Sequence, residues 1–135
     1  HPVKELVWSL STAKVGDTTA AAIGSGTFML KLNGHDRFAA RDYRYFSRTQ
    51  VWQHHTGAGG LDAADNSEGA FSDGIGVYSF ALNPEEHQPS GTCNFSRIDN
   101  ARLETTGNAQ SIEVYAVNYN VLRIMSGMGG LAYSN

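Results

Sequence analysis

A single cysteine, three prolines and few charged residues set the first limits on this chain of 135 residues. With Cys93 alone, no disulfide can close within the chain and no four-cysteine metal site can be built. That usage favours folding in a reducing compartment. Charged residues reach 17%, against about 25% in an average globular domain. Such a balance excludes a coiled coil and a charge-rich disordered tail. A net charge of −3 leaves no overall basic footprint for nucleic acid. The longest apolar stretch, Ile112 to Met125, is interrupted by Glu113, Asn118, Asn120 and Arg123, so nothing spans a bilayer as a helix. No basic segment leading into an apolar one opens the chain. It starts with His1-Pro2 rather than Met, which is expected of a processed chain or of one piece of something longer.

Glycine is plentiful, at 15 residues, and together with Ser, Thr, Asn and Ala it suits a β-rich, turn-rich domain. Alternating apolar and polar positions predict short strands with one buried side. Val3–Ser11 carries Leu6, Trp8 and Leu10 on one face, with Lys4 breaking the row. Thr27–Leu32 carries Phe28, Leu30 and Leu32, and Val77–Leu82 carries Tyr78, Phe80 and Leu82. Ser111–Met125 is apolar on both faces and reads as one long strand covered on both sides. Thr92–Ile98 and Ala101–Thr105 are weaker strands joined by a turn at Asp99-Asn100. Between Asp36 and His55 the spacing of Tyr45, Arg48 and Trp52 predicts a helix, with Asp36 as its cap and a break near Ala40-Arg41. Val15–Gly26 and Thr56–Gly76 read as long loops. About six strands with one helical insertion favour an all-β fold, a jelly-roll β-sandwich with long loops, although eight strands would be needed to complete one.

Few residues suggest chemistry. His54-His55 with His87, or with His35-Asp36, is the histidine set that could be tested against a two-histidine, one-carboxylate metal site. Neighbouring helical residues point about 100° apart, so His54 and His55 could not both face one ion without distortion. Gly24-Ser25-Gly26 lacks the GxSxG elbow, and Gly57-Ala58-Gly59-Gly60 and Gly127-Met128-Gly129-Gly130 lack the Lys-Ser/Thr of a phosphate cradle. Glu85-Glu86 beside His87 reads as a solvated turn. Asn94-Phe95-Ser96 is a formal glycosylation sequon inside a strand candidate, which argues against occupancy. Arg37, Arg41, Arg44 and Arg48 form a local cationic cluster, read as a solvated or partner-facing flank paired with Asp36 and Asp42. The loop Asn83–Gly91, stiffened by Pro84 and Pro89, suits an assembly contact, favoured over a rigid ligand loop, because little entropy is lost on docking. No catalytic, cofactor-binding or metal-binding residue is assigned.

The block Val77-Tyr78-Ser79-Phe80-Ala81-Leu82-Asn83-Pro84-Glu85-Glu86-His87-Gln88-Pro89-Ser90-Gly91-Thr92-Cys93-Asn94-Phe95-Ser96-Arg97 closely resembles a signature of the major capsid proteins of nucleocytoplasmic large DNA viruses. Iridovirus, phycodnavirus, mimivirus and African swine fever virus capsids belong to that group. His1–Leu6, Leu32–Phe38, Gln53–Thr56 and Leu122–Asn135 resemble the same family in the same order. The resemblance implies a double jelly-roll protein that forms trimeric, pseudo-hexagonal capsomers of an icosahedral shell. It places these blocks in the C-terminal portion of the second jelly roll, so 1–135 is expected to be a single domain missing the first. It implies no enzyme activity and no cofactor. The implied partners are other copies of the capsid protein, in the trimer and in neighbouring capsomers, and minor capsid proteins, with no direct nucleic acid and no membrane insertion. The implied location is the virion, assembled in the host cytoplasm. Tyr43, Tyr45, Phe46, Trp52 and Met125 are the large side chains expected at contacts. Two alternatives stand beside this: a cupin-like metalloenzyme using His54, His87 and Asp36, and a carbohydrate-binding module using the loop Thr56–Gly76. The chain alone is expected to expose unpaired strand edges and to aggregate.

Overall fold

The computed structural model describes residues 1–10, 26–56, 75–106 and 112–131. In chain order its strands are β1 (Pro2–Leu10), β2 (Thr27–Leu32), β3 (His35–Asp36), β4 (Arg41–Asp42), β5 (Ile75–Ser79), β6 (Cys93–Asn94), β7 (Ala101–Thr106), β8 (Ile112–Asn118), β9 (Leu122–Met125) and β10 (Met128–Leu131). Between β4 and β5 a π-helical stretch, Tyr45–Thr49, runs into the short helix α1 (Gln50–His54). The chain is thus mostly β-sheet with one short helix. Every strand pairing is antiparallel. In the first sheet β8 lines one edge of β1, while β5 and β6 share the other. In the second, β7 lines one edge of β2, while β3 and β4 share the other. Among the described residues, β9 and β10 pair only with each other.

The two central strands meet through the apolar faces that their alternation sets up. Val3, Leu6 and Trp8 of β1, Phe28 and Leu30 of β2, and Phe46 of the helical stretch form one buried cluster. Trp8 lies 5.5 Å from Phe28 and 5.3 Å from Phe46, ring centre to ring centre. Phe38, Tyr78, Phe80 and Phe95 extend this into a chain of tilted and edge-on rings. Each such pair adds about 0.5–1.5 kcal/mol beyond the area it buries. Gly76 sits opposite Trp8 on β5, and a Cβ there would meet the indole at 2.4 Å. The interruption at Lys4 is a β-bulge: Val3 pairs with Asn118 and Glu5 already with Val117. The extra residue lets Val3 and Leu6 face the same core, and its carbonyl accepts the amides of Phe80 and Ala81 at 2.8 and 3.3 Å.

Several predicted elements are corrected. Asp36 caps no helix. It pairs with Lys31 across a two-residue turn at Asn33-Gly34, where both residues have positive φ (53° and 80°), the geometry that an Asn-Gly hairpin supplies. Asp42 takes the helix-entry role, accepting the Arg44 amide at 3.0 Å. The strand predicted at Val77–Leu82 lies earlier, at Ile75–Ser79, and Leu82 is 72% exposed. Thr92–Ile98 is a strand only at Cys93–Asn94, because the Asn94 side chain accepts the Ser96 amide and turns Phe95–Arg97 into a 3-10 helix. Ser111–Met125 is two strands, and a turn at Ser126-Gly127 (φ 52° and 77°) folds β10 back on β9. The loops predicted at Val15–Gly26 and Thr56–Gly76 lie almost wholly outside the described residues.

Candidate functional site

The stiff segment between β5 and β6 is tied down at each end and in its middle. Asn83 and Pro84 open a turn closed by the Glu86 amide on the Asn83 carbonyl at 3.2 Å, and Pro84 is fully buried. The Asn83 amide donates to Ser90 Oγ at 2.8 Å, cinching the two ends together. The Tyr119 hydroxyl, beyond β8, donates to the Gln88 carbonyl at 3.3 Å, while Lys4 Nζ lies 5.0 Å over the Tyr119 ring. Gly91 closes the segment at φ +147°, where a Cβ would meet the Phe80 carbonyl oxygen at 2.6 Å. Stiffness here therefore comes from these tethers as much as from the two prolines.

The strongest tether is polar. Glu85 Oε1 lies 3.0 Å from His55 Nδ1 and accepts the Thr56 amide at 3.0 Å, and the Thr56 hydroxyl also donates to this carboxylate. The Thr56 amide, and after it His55, hold the Glu85 carboxyl below its ordinary range. On its other side His55 Nε2 lies 2.7 Å from Glu5 Oε2, a carboxylate buried beside the β1 bulge. Next to this, Gln50 covers the free edge of β5: its Oε1 accepts the Ser79 amide at 3.1 Å and its Nε2 donates to the Tyr45 hydroxyl at 2.8 Å. Glu85 is therefore no merely solvated turn residue. Glu5 and Tyr119 carried no role in the sequence reading. The available signal for Glu5 was a carboxylate directly preceding the apolar Leu6-Val7-Trp8 run of a strand.

A second feature is bare apolar surface. Trp8 faces Val114 across the β1–β8 pair and Leu6 faces Ala116, so these four share one side of the sheet. Trp8 and Leu6 are buried, yet Val114 and Ala116 are exposed. On the β9–β10 hairpin Leu122, Ile124 and Leu131 lie on one face and Met125 and Met128 on the other, all more than half exposed. The expectation that Ser111–Met125 is covered on both sides thus fails within the described residues.

The other predicted residues separate. His54 Nδ1 lies 3.0 Å from the Leu82 carbonyl, His55 sits between its two glutamates, and Asp36 lies 3.9 Å from Lys31 Nζ. His54, His87 and Asp36 therefore form no common ligand set, and no group of metal-ligating side chains occurs among the described residues. The carbohydrate-site loop falls almost wholly outside those residues. The arginines lie against tyrosines: Arg41 is 4.5 Å over the Tyr45 ring, Arg44 donates to the Tyr43 hydroxyl at 3.2 Å, and Arg37 bonds to Tyr78, opposing the upward push of burial on that hydroxyl. Burial also pushes the Cys93 thiol up, which leaves it a poor nucleophile. Of the large side chains expected at contacts, Phe46 is core, Tyr43 and Tyr45 are half-buried, and Trp52 and Met125 are exposed at 80% and 64%.

Comparison with known proteins gives these surfaces a context. A family model described as large eukaryotic DNA virus major capsid protein matches residues 1–130. The major capsid protein of Pyramimonas orientalis virus is 50% identical over 152 aligned positions, which cover 100% of this chain and 37% of that protein. The major capsid protein of Phaeocystis pouchetii virus is 59% identical over 114 positions, covering 78% of this chain and 20% of that protein. A quasi-atomic model of the PBCV-1 virus capsid superposes with a TM-score of 0.74 at 34% identity, covering 100% of this chain and 44% of that one. The chain thus spans less than half the length of these relatives.

Proposed function

This chain belongs to the family of large eukaryotic DNA virus major capsid proteins, and from that premise we propose that it is part of the shell-forming subunit of a virion. In this reading residues 1–135 are the C-terminal portion of the second jelly roll of a double jelly-roll protein. Three copies of the whole polypeptide build a pseudo-hexagonal capsomer, and capsomers tile an icosahedral shell assembled in the host cytoplasm. The work is structural rather than catalytic. Its partners are other copies of the same protein and minor capsid proteins, and it needs no direct hold on nucleic acid.

The observation that carries this reading is the superposition on a virus capsid over the entire chain at 34% identity. The physical support is the bare strand surface. Apolar side chains on β8, β9 and β10 face water in the chain alone, and exposed apolar area of this kind is what an assembly covers. The test is to express the full-length protein and examine it by sedimentation and electron microscopy. Trimers that associate into shell-like arrays are expected. A protein that stays monomeric at all concentrations would overturn the reading.

A further inference from the structure

We propose that His55 is a proton-operated latch that holds the Asn83–Gly91 loop against the first sheet. Its imidazole bridges two carboxylates far apart in sequence, with Nε2 at 2.7 Å from Glu5 Oε2 and Nδ1 at 3.0 Å from Glu85 Oε1. A neutral imidazole carries one N–H and one lone pair, so only the imidazolium donates to both carboxylates at once. When the proton leaves, one ring nitrogen turns a lone pair towards a carboxylate oxygen and one bond is lost. Burial decides which one. The Glu5 side chain is 9% exposed and that of Glu85 is 42%. A carboxylate left without a donor costs far more in the enclosed position. The remaining N–H therefore stays on Glu5, and the bond surrendered is the one to the loop.

Among the described residues, the charged groups set against the ring are Glu5 from β1 and Glu85 from the loop. On the helix itself, His54 turns away to the Leu82 carbonyl. Loss of one ring proton therefore opens the latch on the alkaline side. It also opens in acid. The Glu85 carboxyl is held below its ordinary range, so its contribution is present above the unfolded value and is lost as pH falls through the folded one. The His55 bond to the loop is then made only while Glu85 is ionised and the imidazole carries both protons, whereas the Ser90 and Tyr119 tethers stay in place on either side of that window. None of this depends on assembly into a shell.

Hydrogen exchange of the full-length protein, followed by mass spectrometry and corrected for intrinsic rates, tests the latch. Between about pH 6 and about pH 9, opening of peptides covering residues 83–91 is expected to rise about tenfold, in line with the loss of one hydrogen bond to a charged group. Peptides from β1 should not change. Glu85→Gln removes a half-exposed charge without touching the core, so it should fold. Its loop is expected to exchange at the faster rate throughout that range, with the pH dependence gone. His55→Gln should do the same. A flat wild-type profile, or a Glu85→Gln profile that still rises with pH, overturns the proposal.

Discussion

β1 and the β9–β10 hairpin are written in similar apolar residues and end in opposite surroundings. In β1, Leu6 and Trp8 sit in a cluster with Phe28, Leu30 and Phe46. In the hairpin, Ile124 is 69% exposed and Met128 is 76% exposed. β8 lies between these extremes, since it is bonded to β1 along its length yet carries Val114 and Tyr115 into solvent. Local pairing alone does not account for the difference, because each of the three is bonded to a neighbouring strand along its length. It lies in the second layer: β2 and the helical stretch cover β1, whereas among the described residues only the start of β8, at Ile112, packs against that core and β9 and β10 stay bare. Strand pairing satisfies the backbone, but burial of an apolar face needs a facing layer as well.

The comparison predicts very different costs for similar truncations. Trp8→Ala removes the ring that joins both sheets and the helical stretch, and is expected to cost about 3–5 kcal/mol in urea unfolding. If Ile124→Ala cost as much in the same chain, the division into covered and bare regions would be wrong. Gly91→Ala stands next. Its φ of +147° and the 2.6 Å approach of a new Cβ to the Phe80 carbonyl oxygen force the loop out of place, at about 1–3 kcal/mol. Exchange protection at 83–91 should fall with it, while the Trp8 fluorescence environment stays native.

The covered region was largely legible in the sequence. Period-two alternation gave β1 and β2 nearly to the residue, because side chains of one parity face one layer there, and the weaker candidate Ala101–Thr105 matches β7 within one residue. The helical insertion was legible too, but its start was not, since Asp36 and Asp42 both look like caps. The Asn33-Gly34 hairpin signal decides between them, as it commits Asp36 to a strand. The bare region was misread for a different reason. Apolar residues on both faces report that both faces are to be covered, and they carry no information on which chain does it. The turn at Ser126-Gly127 lies just beyond the apolar run, so the run itself carries no sign of the hairpin. The His55 tether could not be read at all. It joins residues 50 positions apart on one side and 30 on the other, and only the folded register of β1 against β5 brings them together.

The smallest expected effect on stability is the sharpest test of the comparison. Leu122 and Ile124 share the hairpin face with Leu131, and both stand mostly in water. Leu122→Ser with Ile124→Ser should therefore change unfolding of the isolated chain by no more than about 0.5 kcal/mol, the usual range for exposed positions. The same pair should make that chain less prone to aggregate, because it breaks up the exposed apolar surface that otherwise promotes association. In the full-length protein the sign reverses if the face is covered there. Losing two buried aliphatic side chains would then cost several kcal/mol, and sedimentation would report fewer trimers or a lower melting temperature. A double variant that is neutral in both settings would mean that this face stays bare, and the apolar pattern of β9 would have lost its explanation. A wild-type fragment that stays monomeric even at high concentration would break the comparison from the other side, since the bare strands would then need no cover to remain soluble.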